Sequence, residues 1–229
     1  MHDNVYRREI RSFVRREGRL TPGQQKALDA HWATWGIDEV GQQLDLPGLF
    51  GRDNPKVLEI GFGNGASLAQ MAAAQPDFDF IGVEVHRPGV GQLLKSIHEL
   101  DLSNVRVACM DAVVLLRERI ADAALQRVQL YFPDPWHKKR HHKRRIIQPD
   151  FIRLISSKLS PEGQIHLATD WQDYAEQMLQ DLGASPNFKN LGNDDGFIPR
   201  PDYRPITKFE QRGHRLGHGV WDLLFEKCN

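Results

Sequence analysis

Residues 56–66 read Lys56-Val-Leu-Glu59-Ile-Gly61-Phe-Gly63-Asn-Gly65-Ala66. A short apolar run stops at three alternate glycines, and Ala66–Ala74 follows with helical composition. This is a strand-to-helix junction at which glycines let the backbone turn tightly and approach a ligand closely. Gly61-x-Gly63-x-x-Ala66 also satisfies the looser dinucleotide fingerprint, so the glycines alone leave the ligand open. Downstream the chain keeps alternating. Strands are predicted at Phe80–Val85, Val105–Met110, Val128–Phe132 and Gln164–Ala168. Helical stretches lie between and after them at Pro88–Leu100, Val113–Ile120, Asp150–Leu159 and Trp171–Leu182. Phe188–Leu191 and Val220–Phe225 read as two further strands, with a helix over Thr207–His214 between them. The alternation predicts an α/β fold: a doubly wound, mostly parallel, seven-stranded sheet with helices on both faces.

Upstream, Thr21-Pro22 reads as a helix cap followed by proline at the first helical position, predicting a helix over Pro22–Thr34. The chain then reads as irregular from Gly36 to Pro55. Residues 1–20 are expected to be a basic, flexible arm, and residues 21–229 a single domain.

The 229 residues carry no net charge, but the charge is unevenly placed. Residues 1–20 have a net charge of +3 and residues 137–145 a net charge of +6, which leaves −9 on the remainder. Two basic blocks on an acidic body describe a localised footprint for a polyanion. Of the two cysteines, Cys109 sits in an apolar run and Cys228 near the C-terminus, and neither suggests a disulfide framework or a metal pair. No apolar run is long enough to span a membrane, and the start lacks a signal-peptide core. The expected compartment is the cytoplasm, with no obligatory protein partner and a monomer or homodimer as the assembly.

Acids at the ends of successive strands narrow the ligand. Glu84 lies about 20 residues past the glycines, where an acid accepts hydrogen bonds from ribose hydroxyls. Glu59, just before the glycines, would repel a pyrophosphate and attract an ammonium or sulfonium. Asp111, after the third strand, is placed to accept from an adenine amine. Each acid alone also reads as a helix cap or loop residue. Together they describe a cationic nucleoside outside the strands' carboxyl ends, with Gly61, Gly63 and Gly65 against it.

The fourth strand runs into Pro133-Asp134-Pro135-Trp136-His-Lys138-Lys-Arg140-His-His-Lys143-Arg144-Arg145. The two prolines restrict the backbone around a lone carboxylate and preorganise it. Trp136 is suited equally to stacking on a base or packing on the domain. Lys138, Lys139, Arg140, Lys143, Arg144 and Arg145 would bind phosphates, the alternative being a solvated helix face. His137, His141 and His142 have no acid or thiol at ligand spacing, so no metal is expected. Asp170 follows the fifth strand, and Thr207-Lys208-Phe209-Glu210 opens the late helix with a pattern that is itself a capping box.

The Pro133–Arg145 run resembles the signature of the bacterial tRNA (guanine-N7-)-methyltransferase family. So do Arg11-Ser-Phe-Val-Arg-Arg16 with Gly18-Arg-Leu20, Glu59–Gly65 and Thr207–Gly213. The resemblance runs from about Arg11 to the C-terminus. It implies a Rossmann-like class I methyltransferase fold, with S-adenosyl-L-methionine as donor and S-adenosyl-L-homocysteine as product. The implied acceptor is the guanine at position 46 in the variable loop of tRNA. It assigns cofactor roles to Glu59, Glu84 and Asp111 and a catalytic or cofactor-adjacent role to Asp134. Substrate roles fall to Lys138, Asp170, Thr207, Lys208, Phe209 and Glu210. The rival readings are a methyltransferase for small molecules or proteins, an NAD(P) oxidoreductase, and a non-enzymatic tRNA-binding protein.

Overall fold

A computed structural model describes residues 18–207, 210 and 219–228. Most of the expected arm, Lys208, Phe209 and nearly all of the helix expected over Thr207–His214 lie outside the described residues. Eight strands form one sheet: β1 (Gly36–Ile37), β2 (Lys56–Ile60), β3 (Asp79–Val83), β4 (Val105–Ala108), β5 (Leu125–Tyr131), β6 (Leu159–Thr169), β7 (Phe188–Asn190) and β8 (Trp221–Lys227). Their order is β1-β4-β3-β2-β5-β6-β8-β7. The first six are parallel, and β8 runs antiparallel to both its neighbours. The expected seven strands become eight through β1, whose two residues are too few to carry any periodicity. β6 starts at Leu159 rather than Gln164. Pro161 and Gly163 read as breakers, yet the strand absorbs them at a register shift against β5.

The helices are α1 (Pro22–Trp35), α2 (Leu46–Phe50), α3 (Ala66–Ala74), α4 (Arg87–Glu99), α5 (Ala112–Val114), α6 (Pro149–Lys158) and α7 (Gln172–Gly183). α5 continues as a π turn over Leu115–Arg119. α1 begins where the cap predicts: the Thr21 side chain accepts from the Gln24 N–H, and the Gln24 side chain accepts from the Thr21 N–H. Both sheet faces are covered. Leu58, Ile81, Val128 and Ile165 pack on one side, and Val57, Phe80, Val105 and Tyr131 on the other. This is why β2 is buried at all five positions, as a central parallel strand must be. Among the described residues, no helix is long and apolar enough to cross a membrane.

The strand order sets the position of the site. From β2 the chain moves outward through β3 and β4, then returns to lay β5 on the opposite side of β2. Such a switch point opens a crevice at the strands' carboxyl ends. Glu59 lies opposite Gln129 and Ile60 opposite Leu130, so Gly61 and Tyr131 leave the sheet side by side.

Candidate active site

The glycine loop leaves β2 with three left-handed residues: Gly61 at φ 71°, Gly63 at φ 62° and Gly65 at φ 75°. A side chain would be strained at each, so the sequence meets the turn with the one residue that takes it freely. The loop is tied to β3 by Glu84. One carboxylate oxygen accepts from the Gly63 N–H at 3.0 Å, and the other accepts from Val85 and His86 N–H at 2.7 and 2.9 Å. Gly89 in α4 completes the packing, since a Cβ there would lie 1.9 Å from the Gly63 carbonyl oxygen. Nothing in the sequence pattern singles out Gly89. We expect Gly89→Ala to displace the glycine loop, costing about 1–3 kcal/mol of stability. A thermal melt reads the loss.

Glu59 is buried in the centre of the sheet, and among the described residues its Oε2 has no hydrogen-bond partner. Burial pushes its carboxyl up to about 8, so it is neutral over much of the physiological range. Gln129, beside it on β5, is also fully buried, and neither of its side-chain polar atoms has a partner among the described residues. A buried carboxyl with nothing to bond is costly in isolation and calls for a cationic or hydrogen-bonding group nearby.

A cavity of about 240 Å³ opens at the switch point. Gly61, Glu84, Asp111, Tyr131 and Asp134 all contribute to its lining. Glu59 does not line it and lies behind Gly61, within the sheet. Asp111 caps α5, its Oδ1 accepting from the Val113 N–H at 2.8 Å. The cap reading and the cavity reading of Asp111 therefore hold together. Asp134 is exposed at the rim, and no described residue hydrogen-bonds to its carboxylate. The Pro-Asp-Pro turn is bracketed by two left-handed non-glycine residues, Phe132 at φ 52° and Trp136 at φ 47°. Each costs on the order of 1–3 kcal/mol, a strain typical of functional turns.

The basic run forms a 3₁₀ turn over Lys139–Arg144. Lys138, Arg140 and Lys143 are exposed on it. The Arg144 guanidinium lies 3.8 Å over the Trp136 ring, so Trp136 packs within the turn. Arg145 departs from expectation. Its side chain is 1% exposed, donating to the Pro135 carbonyl, Gln177 and Asp173. The hydrogen bond from Arg145 holds the Asp173 carboxyl below its ordinary range. Arg145 therefore fastens the turn to α7 and is turned away from solvent.

Asp170 lies outside the Asp134 cavity, in a wider cleft of about 590 Å³ shared with Trp171, Trp221 and Glu176. The His137 ring lies 4.1 Å, centroid to centroid, from the ring of Trp171, which lines this cleft. Thr207 and Glu210 form the expected capping box, with backbone-to-side-chain bonds of 3.3 and 3.1 Å. Glu210, to which the resemblance gives a substrate role, is turned inward. It is 3% exposed, and both its oxygens accept from Arg204, at 2.7 and 2.9 Å. Lys208 and Phe209 lie outside the described residues.

Arg204 belongs to a buried network with no counterpart in the motif reading. It also donates to both oxygens of Asp222 on β8, each at 2.7 Å. Asp222 Oδ1 meets His166 Nε2 at 2.9 Å, and His166 Nδ1 meets the Tyr131 hydroxyl at 2.8 Å. Burial would raise the Asp222 carboxyl, but the His166 and Arg204 hydrogen bonds bring it below its ordinary value. Burial lowers the His166 imidazole and raises the Tyr131 phenol, so both are neutral. A carboxylate only accepts, so His166 carries its proton on Nε2 and takes the Tyr131 hydroxyl on Nδ1. Lone polar residues inside apolar strands, His166 in β6 and Asp222 in β8, are the signal that marks this network in the sequence. Arg204 has no such signal.

The cavity suits a cationic nucleoside such as S-adenosylmethionine. Its lining holds two carboxylates besides Asp134. Comparison with known proteins agrees. A family model described as "Putative methyltransferase" matches residues 53–223. The fold is that of the 16S rRNA methyltransferase KamB: TM-score 0.56 at 13% identity, covering 83% of this chain and 96% of that one. It is equally that of the [4+2]-cyclase SpnF: TM-score 0.54 at 18% identity, covering 93% and 99%. Architecture alone therefore does not choose the reaction. Sequence similarity is more specific. The tRNA (guanine-N(7)-)-methyltransferase of Alcanivorax borkumensis is 60% identical over 220 residues, 96% of this chain and 92% of that protein. Its namesake from Escherichia coli is 57% identical over the same shares. Identity at this level over nearly the whole of both chains means that the chain belongs to the tRNA (guanine-N(7)-)-methyltransferase family.

Proposed function

We propose that this protein is a cytoplasmic enzyme that moves a methyl group from S-adenosylmethionine to N7 of the guanine at position 46 of tRNA. The observation that carries the reading is the position of Asp134. It stands on the rim of the cavity lined by Gly61, Glu84 and Asp111, and the exposed cations begin four residues later. Glu59, Gly61, Gly63, Gly65, Glu84, Asp111 and Asp134 would hold the donor. Lys138, Asp170, Thr207, Lys208 and Phe209 would meet the acceptor. S-adenosylmethionine, when bound, supplies a methyl group on a positively charged sulfur.

Neutral guanine carries a lone pair on N7 and needs no deprotonation to attack. The residues' work is then orientation and electrostatics. Methylation places positive charge on the guanine ring, and the Asp134 carboxylate is placed to stabilise it. Asp170, in the neighbouring cleft, is an acceptor suited to the guanine N1 and N2 donors. Reaching the cavity requires the base to leave its stack. Arg140, Lys143 and Arg144 grip the tRNA backbone by charge and shape.

Incubation with methyl-labelled donor and unmodified tRNA tests the reading. The expected product is a single N7-methylguanosine in the variable loop; label on another nucleoside, or on protein, overturns it. Arg140→Ala with Lys143→Ala, both solvent-facing, should weaken tRNA binding and reduce the slope of log K against log salt by about 1–2. A filter-binding series across salt concentrations measures this slope.

A further inference from the structure

We propose that Arg204 is a positioning residue for methyl transfer. It holds the acceptor-side segment that begins at Thr207 in register with the end of β5 that carries Asp134. The inference rests on the reading that Thr207 and the two residues after it meet the acceptor.

The geometry is specific. Arg204 is fully buried and grips two carboxylates at once. Through Glu210 it holds the capping box, because the Glu210 oxygen that accepts from the Thr207 N–H also accepts from Arg204 Nη1. Through Asp222 and His166 it reaches the hydroxyl of Tyr131, which lines the cavity three residues before Asp134. Its guanidinium carbon also lies 5.8 Å from the ring centroids of Tyr131 and Phe132. The hydrogen bonds it donates to Glu210 and Asp222 outweigh burial and keep it charged. One rigid fork thus joins the acceptor segment to the strained turn. Lysine, with one nitrogen, has no such fork and cannot make bidentate bonds to both carboxylates. A buried ionic group is weak evidence for stability, and fixing one arrangement of two segments is its better-attested use.

The test compares Arg204→Lys, Tyr131→Phe and Thr207→Val in the full-length protein. Tyr131→Phe removes the nearer of two hydroxyls that meet His166 Nδ1, Tyr131 at 2.8 Å and Tyr203 at 3.1 Å, and it keeps the test open if Arg204→Lys does not fold. S-adenosylhomocysteine titration counts folded sites, and rates are expressed per site, so lost protein does not register as lost rate. Arg204→Lys should keep S-adenosylhomocysteine affinity within about threefold and lower the rate at saturating tRNA by about 10- to 100-fold. Tyr131→Phe should lower that rate in the same direction by about two- to tenfold. Thr207→Val should raise the KM for tRNA. Normal per-site rates in both Arg204→Lys and Tyr131→Phe, with a raised KM in Thr207→Val, overturn the positioning role alone. An unchanged KM in Thr207→Val overturns the acceptor reading beneath it.

Discussion

Asp134→Ala is expected to lower the rate of methyl transfer at saturating donor and tRNA by about 10²- to 10³-fold, the loss typical of removing one preorganised electrostatic group. The protein should fold normally, because Asp134 is exposed and no described residue depends on its carboxylate. Two measurements separate its possible roles. Single-turnover rate reports on chemistry, and S-adenosylhomocysteine affinity reports on donor placement. A lost rate with nearly unchanged affinity places Asp134 at the developing charge. A lost affinity with a normal saturating rate makes it a cofactor-positioning group. Asp134→Asn keeps the shape and removes the charge, so a similar loss there assigns the effect to charge. The strain at Phe132 and Trp136 makes sense in these terms: a left-handed residue on either side fixes where the carboxylate points.

Glu59→Gln should stabilise the ligand-free protein and weaken donor binding together. In the folded state the Glu59 carboxyl titrates near 8, against an ordinary value of 4.5, because burial disfavours its charge. Folding therefore takes up a proton between these limits. Stability is highest below the unfolded value and falls as pH rises, by about 1.4 kcal/mol per pH unit from roughly 5 to 8. Glutamine cannot ionise, so the melting temperature of Glu59→Gln should lose this decline, with its largest gain at pH 8. If Glu59 receives the donor's ammonium group, the variant should bind S-adenosylhomocysteine about 10- to 100-fold more weakly, as expected for one charge-assisted hydrogen bond. Wild-type binding should also release close to one proton per site at pH 7, seen calorimetrically in buffers of different ionisation enthalpy. Melts of wild type and variant that stay parallel from pH 5 to 8 would remove Glu59 as a buried acid.

The glycines, the apolar runs and the strand-end acids were legible because each is a local pattern. Three left-handed positions favour glycine, and a central parallel strand favours apolar residues on both faces. Asp134 was legible for the same reason, framed by two prolines at a strand's end. What escaped was set by tertiary packing. Arg145 looks identical to its basic neighbours, and only the fold turns it inward onto Asp173 and Gln177. Glu210 satisfies a capping pattern, but its burial against Arg204 depends on β8 arriving from the far end of the chain. Gly89 is needed because Gly63 lies against it across 26 positions of sequence, a relation that no local spacing encodes. β1 is too short to announce itself, and β6 crosses residues that ordinarily end strands.

The most direct test of the central claim uses a tRNA in which the guanine at position 46 is replaced by 7-deazaguanine. This change swaps the accepting nitrogen for a C–H and leaves the hydrogen-bonding edge of the base intact. The expected result is unchanged tRNA affinity with no methyl transfer, while the unsubstituted control is methylated once. Transfer to the substituted tRNA at the control rate would contradict the assignment of N7 at that position as the acceptor.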